Sequence, residues 1–186
     1  LSFVGAPLAV SGTTTLLSHV TSTTINPFID LSGGSLTLGL RAVFLNSGDV
    51  NVRGSLLKID GTTITPSLTV PLIELAKNGT GPASTLTVGG PLVDLSNTTL
   101  DLTLGATHQP LMRQTGGSTI TTTAGSAIRL NSSTLKADVF QSTDGAGNST
   151  TFTGPFLDLT NSTVTVRSFG DQPVVDTDSF FSVLAP

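Results

Sequence analysis

The stretch Pro91-Leu-Val-Asp-Leu-Ser-Asn-Thr-Thr-Leu-Asp-Leu102 decides the fold, because its first half recurs along the chain. Pro27-Phe-Ile-Asp-Leu31, Ser55-Leu-Leu-Lys-Ile59, Pro71-Leu-Ile-Glu-Leu75, Ser126-Ala-Ile-Arg-Leu130 and Pro155-Phe-Leu-Asp-Leu159 superimpose on it residue by residue. An imperfect repeat of one short apolar strand is the mark of a solenoid whose neighbouring coils bury each other's apolar sides. Weaker copies extend the series, so that coils are predicted to start near Pro7, Pro27, Arg41, Ser55, Pro71, Pro91, Pro110, Ser126, Pro155 and Pro173, at spacings of 14 to 20 residues with one longer gap.

Most of these starts are proline, which cannot donate to a β ladder and so belongs at a corner where the chain enters a strand. Two apolar residues follow, the first packed inward at the corner, then one outward residue, then another apolar one. Next comes a polar turn: Ser32-Gly-Gly-Ser35, Asn46-Ser-Gly-Asp49, Asp60-Gly-Thr-Thr63, Ser96-Asn-Thr-Thr99, Asn131-Ser-Ser-Thr134 and Thr160-Asn-Ser-Thr163. Gly, Asn, Ser and Asp tolerate left-handed backbone and bond locally, as a tight arc requires. A second strand of period two then follows, as in Leu36-Thr-Leu38, Leu86-Thr-Val88 and Val164-Thr-Val166.

No segment sustains helical periodicity. The expectation is an all-β, single-domain β-solenoid over residues 1–186, a right-handed parallel β-helix of about nine short coils and roughly 40 to 45 Å of rod at 4.8 Å per coil. Two loop excursions interrupt it, at 76–84 and at 138–152. In the second, Asp144-Gly-Ala-Gly-Asn148 lies between apolar pairs like the tip of a hairpin.

Composition narrows the function. Eight Lys and Arg against twelve Asp and Glu give a net charge of −4 and no basic stripe, which argues against nucleic-acid binding. The absence of cysteine excludes disulfides, thiolate metal sites and a cysteine nucleophile. No run of 18 apolar residues is present, so no transmembrane helix is expected. The opening Leu1 suggests a processed product or part of a longer chain. Tyr and Trp are both missing, which removes the usual stacking platforms for sugars. His19 and His108 stand alone, and no motif for a cofactor or metal occurs. Asp144–Asn148 lacks the ligand spacing of a calcium loop.

Stacking turns sequence columns into ladders. The outward column holds Asp30, Phe44, Lys58, Glu74, Asp94, Arg113, Arg129, Asp158 and Asp176. Read in order, Lys58 with Glu74, Asp94 with Arg113, and Arg129 with Asp158 form a structural charge ladder that fixes coil register. An active site is the sharper alternative: a polysaccharide-processing lyase or hydrolase would draw on Asp94, Asp101 and Arg113, or on Arg129 with Asp158. A second column flanks the strand after the turn. Thr37, Thr63, Thr65, Thr85, Thr87, Thr119, Thr121, Thr163 and Thr165 make a candidate binding face, and this array resembles the flat faces of ice-binding solenoids. Asn78, Asn97, Asn131, Asn148 and Asn161 begin glycosylation sequons, which turn chemistry also explains.

The repeated Pro-Phe/Leu-Ile/Val-Asp-Leu-Ser followed by Thr-Leu-Thr, across residues 7–178, resembles the β-helix passenger and stalk regions of filamentous-haemagglutinin and autotransporter-type bacterial surface proteins. The resemblance implies an exported, cell-surface or extracellular rod used for adhesion or as a stalk, with no catalytic residues and no cofactor. Its expected partners are another copy of the chain, end to end, and a surface receptor or glycan. The exposed apolar ends of such a solenoid would invite that stacking.

Overall fold

The computed structural model describes residues 2–4, 8–10, 19–22, 24–38, 41–66, 71–103 and 110–171. Among them there is no helix, and every strand pairing is parallel. The chain visits four faces in turn and then repeats the circuit, each strand pairing with its counterpart one coil away. The first face stacks Ser2–Val4, Ile29–Ser32, Leu57–Asp60, Val93–Ser96, Ile128–Asn131 and Leu157–Thr160. The second carries Leu8–Val10, Ser35–Leu38, Thr63–Pro66 and Thr99–Asp101, and is continued by the first parts of Thr134–Asp144 and Thr163–Asp171. The third stacks Val43–Asn46, Ile73–Ala76, Pro110–Thr115 and the later parts of those same two long strands. The fourth stacks His19–Ser22, Asp49–Val52, Thr85–Val88, Thr119–Thr122 and Ser149–Phe152.

The parallel β-solenoid expected from the repeat is thus present, but its period is not. The in-register residues Ser2, Asp30, Lys58, Asp94, Arg129 and Asp158 put successive coils 28 to 36 residues apart. Each coil from Pro27 to Ser126 contains two of the predicted units, and the coil from Ser126 to Pro155 contains one. Starts at Pro27, Ser55, Pro91, Ser126 and Pro155 lead into the first face, whereas Arg41, Pro71 and Pro110 lead into the third. The count of nine short coils is corrected accordingly: six rungs on the first face span about 24 Å at roughly 4.8 Å each. The starts at Pro7 and Pro173 lie outside the described residues.

The two halves of a coil look alike because both turn the same corner. Between the first and second faces a two-residue arc opens with a left-handed residue: Gly61 (φ 57°), Asn97 (φ 50°), Ser132 (φ 51°) and Asn161 (φ 48°) occupy one column. The next residue turns a hydroxyl inward. Thr62, Thr98, Ser133 and Ser162 are buried, and each donates to the carbonyl two residues back, at 3.2, 2.8, 2.8 and 2.7 Å. Thr98 and Ser133 also donate their backbone N–H to the hydroxyl of the following coil. Between the third and fourth faces Ser84 and Ser118, fully buried, play the same part by donating to Ala76 and Thr115 carbonyls at 2.6 Å. These buried corner hydroxyls are thereby satisfied by nearby backbone carbonyls.

Inside, Leu56, Leu72 and Leu92 fill the predicted inward corners with no exposure, and Ile59, Leu75, Leu95 and Leu130 stack behind them. Each such burial contributes about 1.5 to 3 kcal/mol before the ordering cost of the chain. Near the later coils the ring of Phe140, fully buried, meets Phe156 edge-on at 5.0 Å, and Phe152 lies 5.2 Å from Phe156.

Of the two expected excursions one is real. Lys77–Ser84 lengthens a corner, with Lys77 to Thr80 exposed and the Gly81 N–H donating to the Asn78 carbonyl at 2.8 Å. Residues 138–152 are instead an ordinary pass over the third and fourth faces. Thr134–Asp144 pairs with Pro110–Thr115, and Ser149–Phe152 pairs with Thr119–Thr122, so the two do not form a hairpin. Asp144-Gly145 turns a corner instead. This pass also explains the long gap between the starts at Ser126 and Pro155.

Candidate functional surface

Register sorts the outward column into two ladders. On the first face Asp30, Lys58, Asp94, Arg129 and Asp158 are consecutive neighbours, so the charge alternates at every rung. Lys58 Nζ lies 4.0 Å from Asp30, and Arg129 grips Asp94 through Nε at 3.0 Å and through Nη2. The hydrogen bond to Asp94 holds the Arg129 guanidinium above its ordinary value against the opposing effect of burial, with the charges of Asp94 and Asp158 adding to it. On the third face the order is Phe44, Glu74, Arg113. There Arg41 pairs with Glu74 and lies 4.6 Å over the Phe44 ring, and Arg113 reaches Asp144 at 3.3 Å.

Of the three ion-pair neighbours read from sequence order, only Arg129 and Asp158 share a face. Lys58 and Glu74, and Asp94 and Arg113, belong to opposite halves of the coil, because consecutive units alternate between faces. Asp176 lies outside the described residues. The ladder is more regular than sequence order implied, and it predicts a penalty for reversal. Lys58→Glu sets three acids in a row, with an expected loss of about 1 kcal/mol in urea denaturation at low salt, shrinking as salt is added.

Of the residues considered for polysaccharide cleavage, Arg129 and Asp158 are neighbours within the charge ladder, whereas Asp94, Asp101 and Arg113 do not converge. Asp94, Asp101 and Arg113 stand on the first, second and third faces in turn. Asp94 is already paired with Arg129, and Arg113 with Asp144. Asp101 faces Lys136 at 3.1 Å. Burial pulls its carboxyl upward, but hydrogen bonds from the Thr103 hydroxyl and N–H, at 2.6 and 3.0 Å, and then Lys136 outweigh this and hold it below its usual value. A depressed carboxylate adds stability that is present above the unfolded-state value and lost as pH falls through the folded one. Asp101→Asn is therefore expected to flatten the fall in stability below about pH 4, read from denaturant midpoints across a pH series.

The threonine column divides as well. Thr37, Thr63, Thr65, Thr163 and Thr165 stand on the second face, where Asp101 and Lys136 interrupt them. Thr85 and Thr87 continue into Thr119 and Thr121 on the fourth face, and from there into Ser149 and Thr151. The result is a two-wide hydroxyl array over three rungs, adjoining Asp49 and Asn51.

Three features escaped the sequence reading. Gln114, fully buried, occupies the place of Leu75 in the repeat. Its Nε2 donates to the Ser118 and Ser149 carbonyls at 3.0 and 2.8 Å, and its Oε1 accepts from Gln141 and Thr150 at 2.6 Å each. Asn148 spends its amide on the Asp144 and Gly145 carbonyls, both at 3.0 Å, and accepts from the Ser118 N–H, so those oxygens are engaged within the corner. Lastly, an open groove of about 460 Å³ follows the corner between the first and second faces, from Asn97 across Ser132 to Asn161.

Among the described residues no three His, Asp or Glu side chains come together as a metal site, and no helix is long and apolar enough to cross a membrane. No protein-family model matches this chain, and no curated protein or solved structure matches it either.

Proposed function

We propose that this chain is a non-enzymatic structural and adhesive β-solenoid, part of a longer rod or filament at a cell surface or outside the cell. The observation that carries the reading is the parallel register maintained over six rungs on the first face, with each outward position repeated as a ladder. A stack of this kind lengthens by adding coils, and each coil contacts only its neighbours, so length and repeated surface come from the same architecture. The ordered charge ladder fixes register along such a rod, while the uncharged Ser, Thr and Asn corners leave a polar surface for contact. Beads coated with the protein are expected to adhere to cells or to an extracellular matrix, and electron micrographs to show rods that associate end to end. Bare beads, globular monomers at every concentration, or release of reducing sugar ends from polysaccharides would each count against it.

A second reading rests on the fourth face. The paired rows Thr85, Thr119, Ser149 and Thr87, Thr121, Thr151 favour an ice-binding surface, since methyl and hydroxyl groups recur there at rung spacing. Thermal hysteresis is its test, and freezing behaviour identical to that of an inert protein removes it.

A further inference from the structure

We propose that the groove along the corner between the first and second faces binds an uncharged polysaccharide chain lying parallel to the rod. This rests on the adhesive reading above and names its ligand class. One wall is the left-handed column Asn97, Ser132 and Asn161, whose side chains are exposed. The other wall is Thr99, Thr134 and Thr163, which are in register across three coils. The floor is made by Thr98 and Ser133, whose hydroxyls are committed to the Ser96 and Asn131 carbonyls.

That division sets the chemistry. The floor is structural and already satisfied, so recognition falls to the walls. Among the described residues no hydrogen bond occupies the Asn161 amide or the hydroxyls of Thr99, Thr134 and Thr163. Amides and hydroxyls both donate and accept, which suits the hydroxyl groups of a sugar. Among the described residues no charged side chain lines the groove, although the charge ladder runs along the adjoining face, so an anionic chain finds no cation there. No apolar side chain among the described residues lines it either, which removes the anchor a peptide would need.

The third element is periodicity. The walls repeat once per coil at about 4.8 Å. An extended polysaccharide advances by a similar distance per sugar, so successive sugars meet successive rungs. A single sugar touches one rung and is held weakly, in keeping with the absence of Trp and Tyr. A chain crossing three rungs gains from each further contact through effective concentration, and a longer rod would gain more.

The test is affinity electrophoresis of the whole protein in gels containing soluble mixed-linkage β-glucan, mannan or alginate. The variant Asn97→Gly/Thr134→Val/Asn161→Gly strips both walls. Glycine keeps the left-handed corners, as Gly61 does naturally, and valine keeps the strand. Retardation by a neutral chain, weakened about tenfold in the variant at unchanged melting temperature, is the expected result. No retardation by either neutral chain, equal retardation of the variant, or retardation by alginate alone overturns the proposal. Should the variant fail to fold, amide NMR shifts of the native protein with β-glucan decide the matter: changes must centre on 97–99, 132–134 and 161–163, and changes elsewhere overturn it. Beads that adhere to cells while the protein ignores every neutral chain sink this inference alone. Beads that never adhere sink the adhesive reading.

Discussion

Gly54→Ala is expected to destabilise the protein by about 3 kcal/mol, the upper end of the range for overpacking. A Cβ placed there would lie 2.3 Å from the Asn26 carbonyl oxygen and 2.4 Å from that of Ile25, so the backbones of adjoining coils would have to separate. Nothing flexible is available to move aside. Gly154 is equally confined, with a Cβ falling 2.0 Å from the Gly125 oxygen. Gly61 provides the contrast. A Cβ on it meets nothing within 4 Å, and only its φ of 57° is restrictive. Gly61→Asn is expected to be neutral to within about 0.5 kcal/mol, because Asn97 and Asn161 occupy the equivalent corner. Urea midpoints for the two variants check both statements together, and equal midpoints would refute the steric account.

Gln114→Glu is expected to cost more at neutral pH, about 3 to 5 kcal/mol, the penalty of an unpaired buried charge. The native amide donates to two carbonyls, Ser118 and Ser149, and a carboxylate in its place would turn like-signed oxygens toward them. Burial and those oxygens would raise the new carboxyl above its unfolded-state value. The penalty is thus present at high pH and fades as pH falls and the group protonates. Denaturant titrations of variant and native protein should converge on acidification. A difference independent of pH would place the damage in packing instead of charge.

The same two positions show how far the sequence could be read. Strands, polar arcs and inward corner residues were legible because each follows from local chemistry: alternation, left-handed tolerance, proline without a donor. The coil period was not, because the corner motif occurs twice per circuit and its two copies differ little. A distinguishing signal was present. Gly54, Gly90, Gly125 and Gly154 precede the starts at Ser55, Pro91, Ser126 and Pro155, while Leu40, Val70 and Gln109 precede those at Arg41, Pro71 and Pro110. Gly54, Gly90 and Gly154 sit where the backbone of an adjoining coil comes close, and Gly125 at the same corner has a φ of 70°, so glycine there reports a backbone demand that the other corner lacks. Gln114 announced itself as well, as a polar residue in an apolar column.

Residues 138–152 misled for a different reason. Asp144-Gly145 between Val139-Phe140 and Thr151-Phe152 is sound hairpin chemistry when considered alone. The strands find longer partners in the preceding coil, and that non-local pairing overrides the local signal. The charge ladder was half legible for the same reason as the period. The right residues were identified, and alternate members were assigned to the wrong neighbours.

Two near-identical units per circuit impose a parity rule on how such a protein can change length. Gain or loss of an even number of units leaves everything downstream in phase. An odd change would exchange opposite sides beyond that point, setting Glu74-type residues over Asp94-type ones and confronting the glycine corners with side chains. Duplications fixed in descendants of this sequence are therefore expected in pairs.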